Sequence, residues 1–128
     1  MKILESSENY LETILLLSKR LPVVRSVDIA EELSFARPSV SIAMKRLREN
    51  GYIEVDGSGF ITLTEEGKKI ADSVYDRHVL LTEFFKSLGV DPETASEDAC
   101  RIEHVISTES FHAMCNDLKK RKNQDGKQ

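Results

Sequence analysis

At 128 residues and 40% hydrophobic content, the chain can bury one modest core or two small ones. Its two cysteines, Cys100 and Cys115, exclude a disulfide-built secreted scaffold, and no apolar run approaches the roughly 20 residues that a membrane span needs. A net charge of −4 is compatible with a nucleic-acid partner only if the charge is unevenly spread.

The charge is uneven. Residues 117–128 set Lys119, Lys120, Arg121, Lys122 and Lys127 against Asp117 and Asp125, a net of +3, so the remainder carries −7. Within that acidic remainder, residues 35–50 hold Arg37, Lys45, Arg46 and Arg48 against Glu49, again +3. An acidic body with a local basic element suits a protein that approaches DNA phosphate through that element. The start, Met1-Lys2-Ile3-Leu4-Glu5, lacks the apolar stretch of a secretory signal. The expectation is a cytoplasmic protein with no membrane partner.

In chain order, residues 6–20 read as a helix. Ser6 or Ser7 can cap it, Leu11, Ile14, Leu15 and Leu17 form its apolar face, and Pro22 ends it. Ser26 is expected to cap a short second helix with Val27, Ile29, Ala30 and Leu33 as apolar positions, without the acidic partner of a capping box. After the tight connector Ser34-Phe35-Ala36, a third helix starts near Pro38, whose missing N–H costs nothing in a first turn. It runs to Asn50 and is stopped by Gly51. Tyr52–Val55 and Phe60–Leu63 flank an Asp-Gly turn and predict a hairpin. Thr64 caps a long helix to Leu88, with Ile70, Val74, Leu80, Leu81, Phe84 and Phe85 as buried candidates, and Gly89 ends it. Asp91-Pro92 opens a helix through about Ile106. Ser107 caps a last one that fades from Lys119 into a charged tail.

Two short helices around a three-residue turn, followed by a hairpin, make a helix-turn-helix with a wing. Arg37, Pro38, Ser39 and Ser41 fall at the end of the second of these helices that enters a major groove. Lys45 lies one turn beyond Ser41, while Val40, Ala43, Met44 and Leu47 fit the core side. The hairpin tip, Asp56-Gly57-Ser58-Gly59, has no cation for phosphate. The bland alternative is that Ser39, Ser41 and Lys45 are only solvated helix positions, and Arg46 or Arg48 could pair with Glu49 or Glu32.

A second constellation is Cys100-Arg101-Ile102-Glu103-His104, where thiol, carboxylate and imidazole at i, i+3 and i+4 would share one helical face. His78 on the long helix and Glu12 on the first, with Asn9 three residues before it, would add to the set if the three helices meet. Carboxylate and imidazole suit Mn²⁺ or Fe²⁺, and a thiolate shifts preference toward softer ions such as Fe²⁺, Co²⁺ or Zn²⁺. Taken singly, His78 could be an ordinary helical histidine beside Asp76 and Arg77, and Cys100 a small core residue. A metal-type cluster in a chain with a DNA reader points to a sensor. No Gly-rich loop or oxyanion element accompanies Cys100 and His104, so the chain is not expected to be an enzyme. The alternative function is a metal-independent winged-helix regulator in which Cys100 senses oxidation.

These residues carry a resemblance. Glu8-Asn9-Tyr10-Leu11-Glu12, Leu47-Arg48-Glu49-Asn50-Gly51-Tyr52, Leu63-Thr64-Glu65-Glu66-Gly67, Arg77-His78 and Asp98-Ala99-Cys100-Arg101-Ile102-Glu103-His104 are similar to the diphtheria toxin repressor family of metal-activated repressors. In length the chain resembles its manganese transport regulator branch. The resemblance implies a homodimer on a palindromic double-stranded DNA operator, repressing metal-uptake genes when Mn²⁺ or Fe²⁺ is bound, with Co²⁺ or Zn²⁺ able to bind in vitro. It implies metal ligands at Glu12, His78, Glu103 and His104. Two positions depart: Asn9 stands where the manganese branch carries Asp, and Cys100 where it carries Glu, the latter agreeing with the iron branch. Thr82, one turn after His78, also lacks a carboxylate often found there.

The expected fold class is therefore mainly α. A winged helix-turn-helix DNA-binding domain over residues 1–70 precedes a helical dimerisation and metal-binding domain over residues 71–128, ending in a basic, flexible tail.

Overall fold

The computed structural model describes residues 5–125. The chain's start before Glu5 and the tail's last residues, Lys127 among them, lie outside the described residues. The elements are α1 (Glu5–Arg20), α2 (Ser26–Leu33), α3 (Arg37–Glu49), β1 (Ile53–Val55), β2 (Ile61–Leu63), α4 (Glu65–Ser87), α5 (Pro92–Ile102) and α6 (Thr108–Asp125). The chain is mainly α, with a winged helix-turn-helix followed by a helical half. It divides into two compact units within α4, between Ser73 and Val74.

In the first unit, Leu11, Ile14, Leu15 and Leu17 of α1 are buried with Ile29 and Ala30 of α2, Val40, Met44 and Leu47 of α3, Ile53 and Ile61 of the hairpin, and Ala71. The periods of three and four in each helix put these side chains on one stripe. Arg25, not Ser26, is the N-cap of α2: its N–H donates to the Asp28 carboxylate over 2.8 Å. The acidic partner missing three residues after Ser26 is present three residues after Arg25. The connector between α2 and α3 turns through a left-handed Ser34 (φ 57°), and Phe35 N–H closes it onto Ala30 O at 3.0 Å.

The hairpin pairs Ile53 with Leu63 and Val55 with Ile61. Its tip is organised by the Asp56 carboxylate, which accepts from the N–H groups of Ser58 and Phe60 at 2.9 Å each. Ile61 N–H also donates to Val24 O at 2.8 Å, which moors the wing to the segment before α2. Thr64 caps α4 as expected, its Oγ1 accepting from Gly67 N–H at 3.1 Å and donating to Gly51 O at 2.7 Å.

In the second unit Leu81, Ala99 and Phe111 form a buried cluster against which Leu80, Phe85, Ile102, Ile106, Met114 and Cys115 pack. Asp91 caps α5, and Ser107 Oγ caps α6 by accepting from Ser110 N–H at 3.1 Å. Two expectations are corrected. α5 stops at Ile102, not Ile106, because the chain tightens into a turn over Glu103–Val105, with Val105 N–H donating to Ile102 O at 3.0 Å. α6 continues through Lys119 to Asp125 where a frayed tail was expected. Arg121 on this stretch is held by the Asp117 carboxylate at 2.9 Å and lies 5.2 Å from the Phe84 ring centre, contacts that favour the helix.

Candidate metal centre and DNA-reading face

The end of α5 brings a carboxylate into the interior. Glu103 is fully buried. Its Oε2 lies 3.0 Å from His78 Nδ1 on α4, and its Oε1 lies 3.3 Å from His104 Nε2. A lone buried carboxylate would cost several kcal/mol, and the two imidazoles offset part of that cost, His78 within hydrogen-bond distance. Around this trio are further residues, of which sequence reasoning missed Ser96 and Thr108. Ser96 Oγ is 3.4 Å from His78 Nε2, Arg77 donates to the Glu103 carbonyl at 3.2 Å, and the same guanidinium reaches Thr108 Oγ1 at 3.4 Å. Only Arg77, as the neighbour of His78, was signalled by the sequence. Thr82 donates its hydroxyl to the His78 carbonyl at 2.7 Å and so secures the helix turn below the imidazole.

A carboxylate with two imidazoles suits a divalent ion of the Mn²⁺ or Fe²⁺ type, and the burial of the carboxylate calls for a cation; the residues present fit such an ion. Glu12, on α1 in the first unit, is also a buried carboxylate, and Asn9 one turn before it is half-buried. Cys100 lies on α5 and is exposed, whereas Glu103, the helical C-cap of α5 with its N–H donating to Ala99 O at 2.9 Å, is buried. Neither Cys100 nor Cys115 is in a disulfide. Cys115 packs against the second unit's core, and burial pushes its thiol above the ordinary value despite the opposing pull of Lys119. A neutral, half-buried thiol is a poor nucleophile. Maleimide should therefore label Cys100 well before Cys115 in the folded protein, and equal rates would show that the Cys115 packing is wrong.

On α3 the buried Val40, Met44 and Leu47 leave the other side to solvent, and Arg37, Pro38, Ser39, Ser41 and Lys45 are all exposed there. Glu32 pairs with Arg20 at 2.9 Å, not with Arg48. Among the described residues, none of Arg37, Lys45, Arg46 and Arg48 enters an ion pair. Arg48, which the sequence left undecided, joins Lys45, Ser41 and Ser26 in lining an open cleft of about 260 Å³ between α3 and the wing. Four unpaired cations on one short helix, with hydroxyls beside them, are what a phosphate backbone requires.

Comparison with known proteins bears on both sites. The model for the iron-dependent repressor N-terminal DNA-binding domain matches residues 2–59, and that for the iron-dependent repressor metal-binding and dimerisation domain matches residues 64–127. The transcriptional regulator MntR of Escherichia coli O6:H1 is 37% identical over 109 residues, which span 85% of this chain and 70% of that protein. The HTH-type transcriptional regulator MntR of Lysinibacillus sphaericus is 36% identical over 106 residues, 83% of this chain and 76% of that one. The solved structure of the manganese regulator SloR superposes with a TM-score of 0.73 at 30% identity, covering 91% of this chain and 53% of SloR. The chain belongs to the iron-dependent repressor family of metal-dependent transcriptional regulators, known also as the diphtheria toxin repressor family.

Proposed function

We propose that the protein is a cytoplasmic, metal-activated repressor that binds a palindromic operator as a homodimer, with Mn²⁺ as the favoured effector and Fe²⁺ close behind. It is a transcriptional regulator and not an enzyme, and no helix among the described residues is long and apolar enough to cross a membrane. The observation that carries the reading is the buried Glu103 carboxylate between His78 and His104, in a chain whose α3 presents unpaired cations. Residues 1–70 serve as the DNA reader and residues 71–128 as the metal and dimer module.

Glu12, His78, Glu103 and His104 would hold the ion, with Asn9 and Cys100 at its margin. When bound, the ion supplies positive charge that offsets the buried carboxylates and a fixed set of directions for its ligands. As a ligand of the same ion, Glu12 on α1 would couple the DNA reader to the ligands of the second half. Restricting α1 restricts α3, which packs in the same core, and a dimer can then present two recognition helices near the 34–36 Å of one DNA turn. Arg37, Lys45 and Arg48 contact phosphate, while Pro38, Ser39 and Ser41 face base edges. Ligands must be deprotonated, so metal occupancy falls as pH falls.

Val79, Leu88 and Val105 in the second unit are large apolar side chains left exposed by the single chain, which supports association through this half. Light scattering at micromolar concentration should give twice the 14.5 kDa chain mass, with or without metal. A monomer would contradict the dimer. Cys100→Ser should weaken Co²⁺ binding by less than about tenfold, below the 10- to 100-fold typical of losing an outer contact to a metal ligand. A loss as large as that of a Glu103 variant would make the thiol a full ligand. The function itself is tested by selecting duplexes from random DNA with the Mn²⁺-treated protein. A two-fold symmetric site enriched only with metal is expected, and no enrichment, or a site enriched equally without metal, would defeat the reading.

A further inference from the structure

Ile42 lies near the middle of α3, two residues from both Val40 and Met44, which with Leu47 mark the buried side of that helix. At about 100° per residue it projects almost opposite to them. It is 57% exposed. Pro38 lies one turn before it on the same outward side, Lys45 and Arg46 lie one turn after it, and all three are exposed. A single exposed isoleucine is ordinary on a protein surface. This one is bare on a helix face flanked by Lys45 and Arg46, which, like Arg37 and Arg48 elsewhere on α3, have no acidic partner among the described residues. An occupant complementary to that face is a polyanion that also offers an apolar group beside Lys45 and Arg46. In the major groove of DNA the apolar group on a base edge is the thymine 5-methyl.

We propose that Ile42 is a specificity-determining residue that reads a thymine methyl group in the major groove, the cations around it holding the flanking phosphates. The inference rests on the repressor reading above and adds to it a base identity and the side chain that selects it. Ser39 and Ser41, with short hydroxyls that can donate or accept, discriminate weakly by themselves. An isoleucine in van der Waals contact favours thymine over cytosine because only thymine presents the methyl.

The test uses the full Mn²⁺-loaded protein and a duplex selected by it from random DNA. Each thymine is replaced in turn by deoxyuridine, which removes only the methyl group, and affinity is measured by fluorescence anisotropy at fixed salt. For the native protein, one or two thymines in each half-site should lose about fourfold on replacement, the factor carried by one buried methylene. Ile42→Ala, at an exposed position where folding is undisturbed, should bind the thymine duplex more weakly and be indifferent to the same replacements. Arg46→Ala should weaken all duplexes alike and keep the methyl sensitivity. A selected half-site with no methyl-sensitive thymine, or a sensitivity that survives in Ile42→Ala, would overturn the assignment. Failure to select any duplex would instead remove the repressor reading, and this inference with it.

Discussion

Glu103→Gln should abolish metal-dependent DNA binding while leaving the fold intact. Its carboxylate is wholly buried, with one oxygen 3.0 Å from His78 Nδ1 and the other 3.3 Å from His104 Nε2. Glutamine fills the same volume, and its amide oxygen can still accept from an imidazole N–H, but it carries no charge to balance a divalent ion. Loss of an outer contact to a metal ligand already costs 10- to 100-fold in affinity, so loss of this charge should cost about 100-fold or more. Stability without metal should hold or rise, because a desolvated charge has been removed and a neutral acceptor put in its place. The two effects separate in one thermal experiment. The native protein's midpoint rises with added Mn²⁺, by the equivalent of about 2.7 kcal/mol at 100 times the dissociation constant. The Glu103→Gln midpoint should not respond. A variant that still gains stability from Mn²⁺ would place the ion elsewhere.

Gly67→Ala should destabilise the first unit by about 2–3 kcal/mol, against the sign that helix propensity alone predicts. Alanine in place of glycine within a helix ordinarily stabilises by about 1 kcal/mol. Here Gly67 is buried in the first turn of α4, where a Cβ would overlap the Tyr52 carbonyl oxygen just before β1. That oxygen already accepts from Thr64 N–H at 3.1 Å, and Gly67 N–H is tied to Thr64 Oγ1, so neither side of the contact can yield cheaply. Urea unfolding should show a lower midpoint with an unchanged slope. A midpoint at or above that of the native protein would mean that α4 and the wing do not approach as described.

That contact also shows where the sequence was legible. The stretch Leu63-Thr64-Glu65-Glu66-Gly67 could be matched to a family, and Thr64 could be read as a cap, since capping depends on neighbours three residues away. Why glycine occupies position 67 could not be read, because the reason is Tyr52, fifteen residues earlier and on another element. The same division runs through the rest of the chain. Gly51, Asp91-Pro92 and Ser107 mark helix ends through local chemistry, and the structure places ends at each of them. The end of α5 was misplaced because Cys100, Glu103 and His104 have helical spacing. The helix ends where the chain tightens into a turn over Glu103–Val105, and Glu103 at that end meets His78 on α4, 25 residues distant in sequence.

The candidate site was legible as residue types and only partly as geometry. His78, Glu103 and His104 come together as their chemistry suggested, whereas Cys100 is exposed. Ser96 and Thr108 give no signal of their own in the sequence; their positions become meaningful only once α5 and α6 are folded beside α4. On α3 the hydroxyls and Lys45 were recognisable from the helix-turn-helix pattern. Arg48 was not, because its possible partner Glu32 is taken by Arg20, a pairing between α1 and α2 that spacing does not reveal.

The central claim is that metal binding and DNA binding are thermodynamically coupled in this chain. The most direct measurement is the affinity of the dimer for one selected duplex, at one pH and one salt concentration, with saturating Mn²⁺ and again with the metal removed by a chelator. Coupling between two sites is typically 5- to 150-fold, and the account predicts a value of at least about tenfold in favour of the metal-loaded protein. By reciprocity, the duplex should raise Mn²⁺ affinity by the same factor. Equal DNA affinity in the two states would contradict the account.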